Sequence, residues 1–332
     1  MANIDFSTPT WLVTYYHFIG GSSILLNTLG FYLLLWQNGK MGRFRYYLLG
    51  FQILCALLEI HLTFLTQPVP LYPIMAGFNL GVLTKMFGVP LHYLLVIAIT
   101  IGIMMLELLT ICFIKKHQSL AIILSKRILP RWVDYCIYGL CVISWIGILI
   151  CLEFLRLSKE EQYEYIRESY PEYLGLFQSL PNFVIYNASQ GTTTFLSVLL
   201  IGCSFLLLSF LTFIIDTFNL LELVKTQIAA STYQKHQEAV RNLMVQLTTS
   251  LVGLASPCVF VLGMLVEFPN LQFISEIILC WIVSHSSINI ICLIIFFPPY
   301  RKFFLETFGK YSNPCEKNNS QNVSESQKVQ LP

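Results

Sequence analysis

Glu59, His61, His92, Glu107, Glu276 and His285 are ionisable side chains that stand inside or at the edges of long apolar stretches of this sequence. A titratable group surrounded by hydrocarbon is costly, so each needs a polar partner or a watery cavity. Counted at 1.5 Å per residue, Glu59 and His285 lie about 20 and 18 Å from the same end of their helices. Similar depth makes a Glu59–His285 contact feasible, with Ser286, Ser287 and Asn289 beside it. A structural polar network is the preferred reading, and direct contact with a ligand is the other. Glu107, nearer that same end of the bundle, reads as a latch that stabilises the resting bundle. Catalysis is not indicated, because no two carboxylates share a helix face at catalytic spacing and no Ser, His and acid gather at one depth. The sequence has no Gly-Lys phosphate loop, Cys-x-x-Cys or His-Glu-x-x-His. No enzyme, cofactor or metal site is therefore expected.

Helices that cross a bilayer must position these groups. Of 332 residues, 55% are apolar and 11% charged, where a soluble domain carries about 25% charged. A net charge of +2 points to no nucleic-acid partner. About 20 mostly apolar residues cross the hydrocarbon core, and seven stretches qualify. They are Trp11 to Trp36, Tyr46 to Thr66, Leu91 to Ile114, Trp132 to Leu155, Thr192 to Phe218, Asn242 to Val266 and Phe273 to Phe297. Pro257 interrupts the sixth, where lipid tolerates a kink. The expected fold class is an all-α membrane protein, a seven-transmembrane helix bundle. Asp5 stands where a signal peptide would be basic, so the first helix is expected to target the chain and remain in it.

Orientation follows from basic residues, which favour cytoplasmic loops. Sixteen of the 20 fall on one side, among them Lys40, Arg43, Lys115, Lys116, Lys126, Arg127, Lys225, Lys235 and Arg241. The N-terminus is expected outside the cell and the C-terminus in the cytoplasm. Gln67 to Pro90 is apolar enough to mimic another span. Its four prolines and three glycines punctuate helices, and an eighth crossing would place five basic residues outside. It reads as an apolar outer loop, open to being partly re-entrant. In the second outer loop Ser158-Lys-Glu-Glu161 is a capping box, and its helix should end before Pro171. The acidic face of that helix is either a solvated surface or a lid over a ligand entrance. Asn187-Ala-Ser189 is a glycosylation sequon on the outer side. Ten cysteines fall almost entirely within spans, so a disulfide framework is not expected.

Several ordered motifs resemble a known family. Gln67-Pro-Val-Pro-Leu-Tyr-Pro-Ile-Met-Ala-Gly77 is similar to the signature of nematode serpentine chemoreceptors of class I, with class h as sister. Phe113-Ile-Lys-Lys-His-Gln118, Tyr170-Pro-Glu-Tyr173, Ser231-Thr-Tyr-Gln-Lys-His236, His285-Ser-Ser287 and Pro299-Tyr-Arg301 extend the likeness over nearly the whole chain. The rhodopsin-type Asp-Arg-Tyr is replaced by Ile114-Lys115-Lys116-His117, and Asn-Pro-x-x-Tyr is absent. The resemblance implies a G-protein-coupled receptor of the plasma membrane, in the sensory cilium of chemosensory neurons. It would detect a small molecule and signal through a heterotrimeric G protein.

On that reading Glu59, His61, His92, Tyr93, Glu276 and His285 are candidate ligand contacts. Glu59, Glu107, His285, Ser286, Asn289, Pro257, Tyr300 and Arg301 are candidate switch residues. Lys115, Lys116, His117, Lys126, Arg127, Lys225, Lys235 and Arg241 would face the G protein, and Asn187 would carry the glycan. The alternative from another class is a seven-span ligand-gated channel or transporter. Residues 1–300 form the receptor domain, 301–312 a short amphipathic segment on the membrane and 313–332 a disordered tail.

Overall fold

The computed structural model describes residues 4–37, 44–180, 182–187, 190–266, 270–296 and 300–305; at 37, 190, 199, 203, 206, 251–266 and 296 it describes the backbone alone. Seven long helices form the bundle: α1 (Thr10–Tyr32), α2 (Phe44–Ile60), α4 (Leu91–Leu124), α5 (Arg131–Phe154), α8 (Gln190–Val224), α9 (Ala230–Val266) and α10 (Leu271–Phe296). Among the described residues six of these, all but α9, are long and apolar enough to cross a membrane. The chain is thus a multi-pass membrane protein.

Local chemistry sets the helix ends. Pro9, Pro90 and Pro130 stand immediately before α1, α4 and α5. A proline at a helix start forfeits no bond, because the N–H it lacks would have had no intrahelical partner. α1 and α2 each finish in a widened π-helical turn, Leu33–Gln37 and His61–Thr66. Such turns inside spanning helices often mark functional positions. α4 runs ten residues past the expected Ile114, α8 runs to Val224, and α9 begins twelve residues before Asn242. The reach of α8 and α9 beyond their expected spans takes in most of the polar stretch from Glu222 to Arg241, and α9 continues unbroken through Pro257.

α4 packs against α2, α5, α8 and α9, while α10 packs against α1, α2 and α9. The shared core holds Tyr16, Phe51, Leu109, Phe113, Phe210, Leu243, Val283 and Tyr300. Hydrocarbon tails are as apolar as leucine, so close packing rather than water exclusion must hold these helices together. Two glycines show how close the packing is. A Cβ at Gly20 would meet the Phe64 ring at 2.6 Å, and one at Gly30 would meet Ile290 at 2.9 Å. α5 lies outermost, with Leu152 its one buried residue.

The end that carries the N-terminus is closed by a small folded layer built on three short strands within an otherwise helical chain. β1 (Pro68–Pro70) and β2 (Ala76–Asn79) pair antiparallel with Val69 opposite Phe78, and β2 pairs with β3 (Val184–Ile185) from the second loop. The two prolines tolerate this because β1 is an edge strand. Three short helices, α3 (Val82–Phe87), α6 (Lys159–Ser169) and α7 (Leu174–Ser179), complete it. Ile4, Val69, Leu71, Phe78, Ile166, Phe177 and Ile185 form its own apolar core. Gln67 to Pro90 therefore forms two strands and a short helix rather than a further spanning helix. The capping box is as expected: the Ser158 hydroxyl accepts from the Glu161 N–H, and the Glu161 carboxylate accepts from the Ser158 N–H. Those bonds hold the Glu161 carboxyl below its ordinary range.

Candidate functional site

The deepest polar group is a chain of hydrogen bonds across four helices. Asn27 of α1 donates from Nδ2 to Glu59 Oε2 of α2 at 3.0 Å, and Ser287 of α10 donates to Glu59 Oε1 at 2.7 Å. Gln52 donates to Asn27 Oδ1 at 2.8 Å and to Ser286 Oγ at 3.1 Å. Asn289 donates to Gln52 Oε1 at 3.1 Å, and Ser250 of α9 meets His285 Nε2 at 3.1 Å. Glu59, Gln52, Ser286 and Asn289 are all buried. Among the described residues no hydrogen bond joins Glu59 to His285 directly; His285 reaches the network around Glu59 through Ser250, the Gln246 carbonyl, Thr249 and Asn289. A buried carboxylate survives in such surroundings because its oxygens meet donors.

The remaining candidate ligand contacts lie toward the layered end. His61, in the π-helical turn, has Nε2 2.9 Å from the Leu94 carbonyl and 3.1 Å from Thr66 Oγ1. His92 Nδ1 is 2.9 Å from the Tyr186 hydroxyl, just past β3. Its Nε2 faces Glu153 across 3.6 Å, too far for a hydrogen bond. Arg156 completes this corner, bonding Glu153 at 2.8 Å and donating to the Tyr93 hydroxyl at 3.0 Å. Glu276 is buried on α10 beside Trp11. Within the layer, burial pushes the Tyr72 hydroxyl up to about 12. Asn187 accepts from Thr192 through its carbonyl at the start of α8, and Ser189 of its sequon lies outside the described residues.

The opposite end is tied by ions. Lys115 pairs with Asp134 of α5 at 2.8 Å. Lys116 donates to His236 Nδ1 of α9 at 3.1 Å. His117 Nε2 meets Asp216 of α8 at 2.6 Å, and Arg127 pairs with the same carboxylate. Lys116 and His117 are buried, whereas Lys126, Arg127, Lys225, Lys235 and Arg241 are exposed. His236 precedes the apolar stretch of α9, and burial with the Lys116 charge beside it pushes it down to about 4. Glu107 accepts from Ser144 and Trp145 of α5, so it fastens α4 to that helix. Tyr300 is packed in the bundle core and Arg301 is exposed. The Pro257 side chain, the segment from 306 to 312 and the tail 313–332 lie outside the described residues.

Asn27, Gln52, Asp216 and Tyr186 were not singled out from sequence. The first three carry the signal applied to Glu59, a lone polar residue in an apolar helix. Tyr186 had none, because its partner is 94 residues away.

A bundle of seven long helices, polar at its centre and capped at one end, is the architecture of a G-protein-coupled receptor. The crystal structure of squid rhodopsin superposes with a TM-score of 0.52 over 97% of this chain and 91% of that one, at 12% identity. The family described as serpentine type 7TM GPCR chemoreceptor Sri matches residues 2–304, and the chain belongs to that family. No curated protein matches it in sequence.

Proposed function

We propose that the chain is a chemosensory receptor that detects a small molecule and signals through a heterotrimeric G protein. The observation that carries this reading is the Sri family match over nearly the whole chain. The N-terminus and the folded layer face outside, as the basic residues favour, and the C-terminus faces the cytoplasm. The receptor sits in the plasma membrane of chemosensory neurons, in the sensory cilium. The ligand lies beneath the layer, among the outer halves of α2, α4, α8, α9 and α10. His61, His92, Tyr93 and Glu276 meet it first, while Glu59 and His285 sense it through the polar network. A ligand shifts the bundle only by binding two states differently. In the signalling state the opposite ends of α4, α8 and α9 part, which exposes Lys116 and His117 to the G protein beside the already exposed Lys126, Arg127, Lys225, Lys235 and Arg241.

The test is ligand-evoked calcium in sensory neurons that express the receptor. Loss of the response on deleting the G protein α subunit is expected. A current that survives the deletion would instead favour a seven-span channel. An epitope at the N-terminus should be reached by antibody on intact cells, and staining only after permeabilisation would reverse the orientation.

A further inference from the structure

Between α4, α8 and the turn that follows α4 lies a cavity of ≈ 630 Å³. Ile128, Leu129, Phe213 and Ile215 make its apolar wall, and His117, Arg127 and Asp216 are grouped at its polar part. It lies where the apolar runs of both helices finish, near Ile114 and Phe218, so it straddles the boundary between hydrocarbon and headgroups. A recess in the lipid-facing wall of a spanning bundle fills from the bilayer itself. The charge at its mouth then selects the headgroup. Asp216 is already paired with Arg127 and bonded to His117, while Lys126 and Arg131 stand exposed on either side of Arg127 in the chain. The segment that borders the cavity therefore carries an excess of positive charge.

We propose that this cavity is a binding site for one anionic phospholipid, its acyl chain against Ile128, Leu129, Phe213 and Ile215 and its phosphate on Arg127. With the N-terminus outside, the site opens on the cytoplasmic leaflet, where anionic lipids concentrate. Lipid retention is read without chemosensory ligand or G protein, so its failure is distinguishable from a failure of the proposed signalling, even though Arg127 belongs to the surface offered to the G protein.

The experiment uses the full-length receptor in nanodiscs of equal phosphatidylcholine and phosphatidylserine, with retained lipid read by native mass spectrometry. Preferential retention of phosphatidylserine is expected. Arg127→Ala should lower that retention about fivefold, the weight of one basic residue near an anionic surface. Ile215→Trp, which fills the cavity without changing charge, should lower it as well, and Asp216→Asn, which frees Arg127, should raise it. Ile215 is exposed and outside the ion ties, so Ile215→Trp should leave thermal unfolding unchanged and keeps the test independent of the Arg127–Asp216 pair. Equal retention of the two lipids, or a preference unmoved by both Arg127→Ala and Ile215→Trp, would overturn the proposal. Displacement by soluble glycerophosphoserine at comparable concentration would also overturn it, since a phosphate alone would then suffice.

Discussion

Glu59 shows what one residue can and cannot announce. Its position in an apolar helix signals that it needs partners, and Ser287 is among the neighbours expected for it. Which other groups reach it depends on how α1 and α10 pack, and Asn27 and Gln52 carry no mark in the sequence beyond being polar. Glu59→Ala should leave the Ser287 Oγ donor and one of the two Asn27 Nδ2 hydrogens without an acceptor, the other keeping its bond to the Ser23 carbonyl. Each orphaned group costs about 1–3 kcal/mol, so a marked fall in thermal stability in detergent is expected. Glu59→Gln, which retains an acceptor, should fall less, and equal stability of both variants with wild type would refute the network's role. His236 gives a pH prediction with a definite sign. Its pKa falls from the ordinary 6.5 to about 4, so the unfolded chain binds its proton first. The tie to Lys116 is then intact above about pH 6.5 and weakens as pH falls toward 4. A His236→Gln variant should lose that part of the acid dependence of unfolding.

At the scale of elements, the spans and the capping box were legible because both are local patterns: a long apolar run, and a Ser three residues before a Glu. The sheet was not legible. Its strands are only two to four residues long, and β2 gains its partner β3 from a loop some hundred residues on. The prolines and glycines that correctly excluded an eighth span also hid the strands. Gly81 shows how tightly the layer seats, since a Cβ there would collide with the Leu65 carbonyl. Ser158→Ala should cost about 1 kcal/mol of local stability, read as faster amide exchange in α6 with the spanning helices unchanged. Neither of the two loops that build the layer contains cysteine, so reductant should leave exchange protection of the layer as it was. Loss of protection under reductant would mean that something other than its apolar core holds it.

For the molecule as a whole, hydropathy and charge asymmetry were sufficient to read seven helices, and the motif at Gln67 to Gly77 pointed to the family. The ion ties at the far end were half legible. The cluster Lys115-Lys116-His117 stood out as a partner surface, yet Lys116 and His117 are buried against α9 and α8. Exposure depends on helix packing, which a run of charges does not encode. If those ties restrain signalling, His117→Ala should raise basal second-messenger output without ligand. Output at or below wild type, with normal surface expression, would count against that restraint. α9 adds a mechanical consequence. Its 37 residues make a rod of about 55 Å, nearly twice the thickness of the hydrocarbon core. Pivoting such a rod about its middle by about 10° carries its tip about 5 Å, one helical turn, so a displacement too small to disturb the packed core is geared up into a movement that a docked protein can feel.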